Sequence, residues 1–86
     1  MYHIVFSDKF TRQLLKISRI NKGLNTRIRK ILSYLQLDPN HPSIRLHKLK
    51  NSQYWSVSVG MGIRIKFRLE SDLIFLLKIG THDEVY

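Results

Sequence analysis

The apolar positions along the chain change period near its middle. After the short apolar stretch YHIVF, which predicts a strand, they recur as they would on one side of a helix. Ser7 is placed to cap a helix reaching to roughly residue 20, in which Phe10, Leu14, Leu15 and Ile17 fall near one face while Lys9, Arg12, Lys16 and Arg19 point elsewhere. The segment NKGLNTRIRKILSYLQLDP repeats the arrangement. Its Leu24, Ile28, Ile31, Leu32 and Leu35 stand at i, i+4, i+7, i+8 and i+11, a helical stripe that Pro39 cannot continue. The region from Arg19 to Gly23 then reads as the turn between two antiparallel helices.

From Asp38 to Gln53 the segment DPNHPSIRLHKLKNSQ has two prolines and no helical period, which predicts a crossing loop. Beyond it the period becomes two. Trp55, Val57 and Val59 alternate with Ser56 and Ser58, and Ile63, Ile65, Phe67 and Leu69 alternate with Arg64, Lys66 and Arg68. Gly60 and Gly62 mark a tight hairpin between these strands. DLIFLLKIG follows the Glu70 to Asp72 turn and is apolar on both faces, as a central strand should be. With Leu73, Phe75, Leu77 and Ile79 facing the core, Ile74 and Leu76 would share the side of Lys78. The expected order is β-α-α-β-β-β, a single α+β domain over residues 1–86 with two N-terminal helices on one face of a mainly antiparallel four-stranded sheet.

Charge sharpens the picture. Lys plus Arg number 15 against 6 Asp plus Glu, a net charge of +9. No acid lies between Asp8 and Asp38, nor between Asp38 and Glu70, and most of the cations fall in those gaps. Such a balance is the electrostatic footprint of a polyanion binder, because neutralising phosphates releases their counterions. If the apolar side of the second strand of the hairpin packs under the helices, Arg64, Lys66 and Arg68 are forced onto the opposite face about 6 to 7 Å apart, the spacing of successive phosphates. No cysteine is present, which rules out disulfides and thiolate metal sites and fits a cytoplasmic protein. The amino terminus lacks a secretory pattern and no apolar run reaches the ~18 residues that span a bilayer, so no membrane partner is expected.

Candidate chemistry centres on the histidines. His3 and His41 have no neighbours that would complete a ligand set, and neither a metal nor a cofactor is expected. His47 stands in a loop run with Arg45, Lys48 and Lys50, where a solvated residue and an RNA contact are equally open. His82 follows the strand-ending Gly80, at a rigid sheet edge open to substrate. A basic surface with a placed imidazole suits cleavage of RNA by attack of a 2′-hydroxyl on its own phosphate. That reaction needs a base, an acid for the 5′-oxygen and cations aimed at the phosphorane oxygens.

The stretch HPSIRLHKLKNSQYWSVSVGMGIRIKFRL, with IFLLKIGTHDEVY after it, resembles the RelE/ParE superfamily of bacterial toxins, particularly its RelE-like ribosome-dependent mRNA endonucleases. The resemblance covers essentially the whole chain. It implies a microbial RNase-like fold, cleavage of mRNA in the ribosomal A site, and a cognate antitoxin that wraps the toxin in a hetero-oligomer. By the same resemblance Arg64 contacts the scissile phosphate, Tyr86 stacks on or orients the substrate, and His82 matches the terminal histidine of one branch. Arg45, Lys48, Lys50, Lys66, Arg68 and Lys78 are the expected RNA-binding cations. One departure is plain: where some RelE-like toxins carry two catalytic lysines, this chain has Ser56 and Ser58, which leaves His47 or Asp83 as the base. The superfamily also contains ParE, which poisons DNA gyrase and cuts nothing, so that activity is the alternative. An acidic antitoxin segment with apolar anchors is expected over the basic face and over Ile74 and Leu76.

Overall fold

A computed structural model describes residues 1–44, 46–49 and 53–85, the side chain of Ser43 aside. The first strand, β1 (His3–Phe6), leads into helix α1 (Asp8–Ile20). Ser7 is the N-cap: its Oγ accepts the Phe10 N–H at 3.0 Å, while Asp8 in the first turn and Arg19 in the last complement the helix dipole. Asn21 ends the helix through its N–H to the Ile17 carbonyl, and its side chain accepts the Gly23 N–H at 3.1 Å, fixing the turn into helix α2 (Gly23–Leu37). On α2 the buried residues are Leu24, Ile28, Ile31 and Leu35, the stripe read from the sequence. On α1 only Phe10 is fully buried, with Leu14 and Ile17 packed beside it. Leu15 is instead 54% exposed, because one step of 100° past Leu14 carries it off the core-facing side.

The crossing region is less plain than its sequence. It contains a 3-10 turn, Pro42–Ile44, whose Ile44 plugs the core, and a two-residue strand β2 (His47–Lys48). Strands β3 (Tyr54–Gly60), β4 (Ile63–Glu70) and β5 (Leu73–Thr81) follow, and a one-turn helix α3 (His82–Val85) closes the described chain. Among the described residues the sheet therefore has five strands rather than four, in the order β1-β5-β4-β3-β2. β1 runs parallel to β5, and every other pair is antiparallel. The extra strand escaped the sequence because two residues cannot display a period.

One face of this sheet carries the helices. Val57, Ile65, Phe67, Ile74 and Leu76 are wholly buried there, together with Phe10 and Leu35. The assignment of faces on β5 needs a correction: Ile74 and Leu76 point into the core, and Leu73, Phe75 and Leu77 do not. The cause is a β-bulge. Lys66 pairs with Lys78 but Phe67 pairs with Leu76, so Leu77 is an extra residue that shifts the alternation, and burial resumes at Ile79. An antitoxin segment cannot use Ile74 and Leu76 as apolar anchors. Beyond Phe6, where β1 stops, Gln13 of α1 takes over as partner of β5 and accepts the Ile79 N–H at 3.0 Å. Among the described residues no helix is long and apolar enough to cross a membrane.

Candidate active site

The second face of the sheet carries neither α1 nor α2, only the one-turn α3 at its Gly80 end, and the strand register arranges its residues in rows. Opposite residues in a ladder share a face, so His47, Ser56, Lys66 and Lys78 form one row across four strands. Ser58, Arg64 and Gly80 form the next, towards the end where β5 runs into α3. Tyr54, Arg68, Phe75 and Val5 form the row on the other side. Arg64, Lys66 and Arg68 thus point to one side, as their alternation required. Lys66 and Lys78 stand directly opposite each other, and like charges so placed destabilise a sheet unless an anion lies between them.

Arg64 is less exposed than its position in an alternating strand implies. It is half-buried, and its Nε–H and Nη2–H both donate to Ser56 Oγ, at 3.2 and 2.9 Å. Ser56 is itself fully buried beneath the guanidinium. Where the resemblance expects a lysine, this chain has a small hydroxyl that holds the arginine down along the sheet. Ser56 belongs to the site by this contact, and no spacing in the sequence announces it, since the pairing crosses two strands diagonally. His47 is the cross-strand neighbour of the same serine, so His47 and Arg64 flank Ser56 from opposite sides.

His82 opens α3 immediately after β5, whose Gly80 pairs with Arg64. Its side chain is 66% exposed, and its Nδ1 lies 3.6 Å from Asp83 Oδ1, a carboxylate wholly open to solvent. The turn that presents His82 is held by Glu84. Thr81 precedes the helix as its cap, and its N–H donates to Glu84 Oε1 at 2.9 Å, the reciprocal half of a capping box whose T-x-x-E spacing is legible in the sequence. The Thr81 backbone N–H, then its side chain, and the nearby Lys16 charge hold the Glu84 carboxyl below its ordinary pKa. Gly80 is needed for this packing. A Cβ there would stand 3.0 Å from Glu84 Oε1 and 3.1 Å from Glu84 Cβ. Val85, buried, pins the far end of the turn.

Other expected site residues are scattered. Lys48 pairs with Trp55 rather than with the serine row, and its Nζ lies 5.6 Å from the centre of the Trp55 ring, towards the helix-covered side. Arg68 stacks on Phe75 and ion-pairs through Nη2 with Glu70 at 3.3 Å. Arg45, Lys50 and Tyr86 lie outside the described residues. Among the described residues no three His, Cys, Asp or Glu side chains gather closely enough to hold a metal ion.

No protein-family model matches the chain, and no curated protein matches it in sequence. Solved structures do match in fold. A metal-bound toxin from Helicobacter pylori aligns over 100% of both chains at 21% identity with a TM-score of 0.84. The DinJ–YafQ toxin–antitoxin complex of E. coli aligns over 99% of this chain and 97% of its own at 17% identity, TM-score 0.81. The heterotetrameric YoeB–YefM toxin–antitoxin complex of Staphylococcus aureus aligns over 95% and 98% at 18% identity, TM-score 0.77. Identities this low speak for architecture: the chain shares the fold of these YafQ, YoeB and Helicobacter pylori toxins, an α+β fold such as the resemblance in the sequence implied.

Proposed function

We propose that this protein is the toxin of a type II toxin–antitoxin system and that it cuts messenger RNA on the ribosome without a metal or cofactor. The observation that carries the reading is the basic face left open by α1 and α2, where the Arg64 row leads through Gly80 to His82 at the start of α3. On this reading Arg64, held by Ser56, clamps the scissile phosphate. The 2′-hydroxyl loses its proton to a base and attacks that phosphorus, the bond to the 5′-oxygen breaks, and the leaving oxygen takes a proton from His82. The products are a 2′,3′-cyclic phosphate and a free 5′-hydroxyl. His47, beside Ser56, and Asp83, beside His82, are the two candidate bases, with Tyr86 orienting the substrate. Lys66 and Lys78 attract the neighbouring phosphates, with further cationic help from Arg45 and Lys50.

A cognate antitoxin is the expected partner, a reading supported by fold neighbours solved in complex with DinJ and YefM. The test is induction of the protein alone in bacteria, with mRNA ends mapped by primer extension and gyrase supercoiling assayed in parallel. New 5′ ends within translated messages and undisturbed supercoiling are expected, and purified, folded His82→Ala should lose about 10²- to 10⁴-fold in cleavage rate. Wild-type cleavage by His82→Ala would remove the tail from the mechanism. Blocked supercoiling with intact messages would make the protein a gyrase poison.

A further inference from the structure

We propose that Tyr54 and Phe75, with the cations stacked on them, form a nucleobase platform on the open sheet face. It receives the base about two nucleotides from the phosphate at Arg64. This rests on the reading of that face as an RNA site and adds to it a place that reads bases.

The rings lie at one end of the cationic row. Tyr54, Arg68 and Phe75 are cross-strand neighbours; Lys66 Nζ sits 4.6 Å from the centre of the Tyr54 ring, and Arg68 Cζ 4.7 Å from that of Phe75. From Arg64 to Arg68 is four residues of β4, about 13 Å at ~3.3 Å each, which is two phosphate steps of an extended single strand. A strand anchored at Arg64 therefore brings a base over the rings.

Arg68 is built for stacking rather than for clamping phosphate. Its Nη2 is engaged by Glu70, and its Nε is shielded from water with no hydrogen-bond partner among the described residues. Its side chain is still 36% exposed, so a guanidinium lying on an aromatic ring remains open to a base. Arginine and aromatic surfaces both stack on any base, because every base has a π-face. The next step of the track is closed. Glu70 and Asp72 lie at the β4–β5 turn just past Arg68, and their charges repel a further phosphate. The platform is thus the end of the track, where a base is held and the following phosphate is not.

Half-buried Leu73 and Leu77 with the more exposed Val5 border Phe75 and would also suit an apolar anchor of a protein. RNA is favoured because both rings already carry cations and because the cations recur at the phosphate interval.

The test measures binding of labelled 2′-O-methyl oligonucleotides, which the proposed chemistry cannot cut, to purified wild-type protein, Phe75→Leu, Phe75→Trp and Tyr54→Leu. A pentanucleotide should lose about 5- to 100-fold in affinity on Phe75→Leu and recover on Phe75→Trp, while a dinucleotide too short to reach from Arg64 is unaffected. Base protons of the bound pentanucleotide should move upfield in the NMR spectra of the wild type and Phe75→Trp and not in that of Phe75→Leu. Unchanged pentanucleotide affinity in folded Phe75→Leu overturns the platform, whatever the cleavage assay shows. So does an acidic, apolar-anchored peptide whose binding depends on Phe75 when that of RNA does not. Ring-dependent binding without cleavage of ribosome-bound mRNA would keep the platform and remove the endonuclease.

Discussion

The two faces of the one sheet are made from the same three long strands and have opposite characters. On the covered side Val57, Ile65, Phe67, Ile74 and Leu76 are sealed by α1 and α2. On the open side Arg64, Lys66, Arg68 and Lys78 stand with serines and aromatic rings, and neither α1 nor α2 covers them. Each strand supplies both faces through its alternation, so the side chains that hold the fold are separated from those proposed to meet RNA by the thickness of a single backbone. Stability and chemistry should consequently be separable by substitution. The comparison also shows where that separation fails, because Ser56 is buried and yet belongs to the open side.

The largest contrast is expected between neighbours on β4. Phe67→Ala should destabilise the protein by about 3 to 5 kcal/mol through lost burial and the cavity left behind, read as a lower urea midpoint. Arg64→Ala should instead lower cleavage by about 10²- to 10³-fold while costing only about 1 kcal/mol, the share of its bonds to Ser56. Equal stability losses for the two would erase the distinction between the faces.

A second experiment probes the turn that joins them. Gly80→Ala sets a Cβ 3.0 Å from Glu84 Oε1 and 3.1 Å from Glu84 Cβ, so that side chain must give by a few tenths of an ångström, and cleavage should fall by about severalfold with only a small change in the unfolding midpoint. The same turn should respond to acid. Glu84 has a folded pKa below its ordinary value, chiefly because the Thr81 N–H bonds to the carboxylate, so the stability that it lends is complete above the ordinary carboxylate pKa. It is lost as pH falls through the lowered folded value. The protection of the Thr81 amide, its exchange rate divided into the intrinsic rate at each pH, should fall through that window in the wild type and stay constant in Glu84→Gln.

The smallest effect belongs to Lys66→Ala. A phosphate contact that positions without chemistry should weaken RNA binding modestly and reduce the dependence of log affinity on log salt by about 1. A slope left at its wild-type value would place Lys66, which already lies over Tyr54, outside the phosphate track.

Much of this molecule was settled by the sequence alone. The helical stripes of α1 and α2, the cap at Ser7, the hairpin of β3 and β4 and the projection of Arg64, Lys66 and Arg68 to one side all follow from local period and local chemistry, which need no knowledge of distant contacts. The T-x-x-E spacing from Thr81 to Glu84 also carries a capping box, but it passed unnoticed in the sequence and was supplied by the structure. Tertiary structure decided the rest. A period of two counts residues correctly only while the ladder is unbroken, and the extra Leu77 inverted the faces of β5 at a place that no composition marks. The parallel seat of β1, the pairing of His47 with Ser56 and the diagonal bonds from Arg64 to that buried serine join residues far apart in the chain. Those partners are selected by the packing of the whole sheet, and a local pattern carries no record of them.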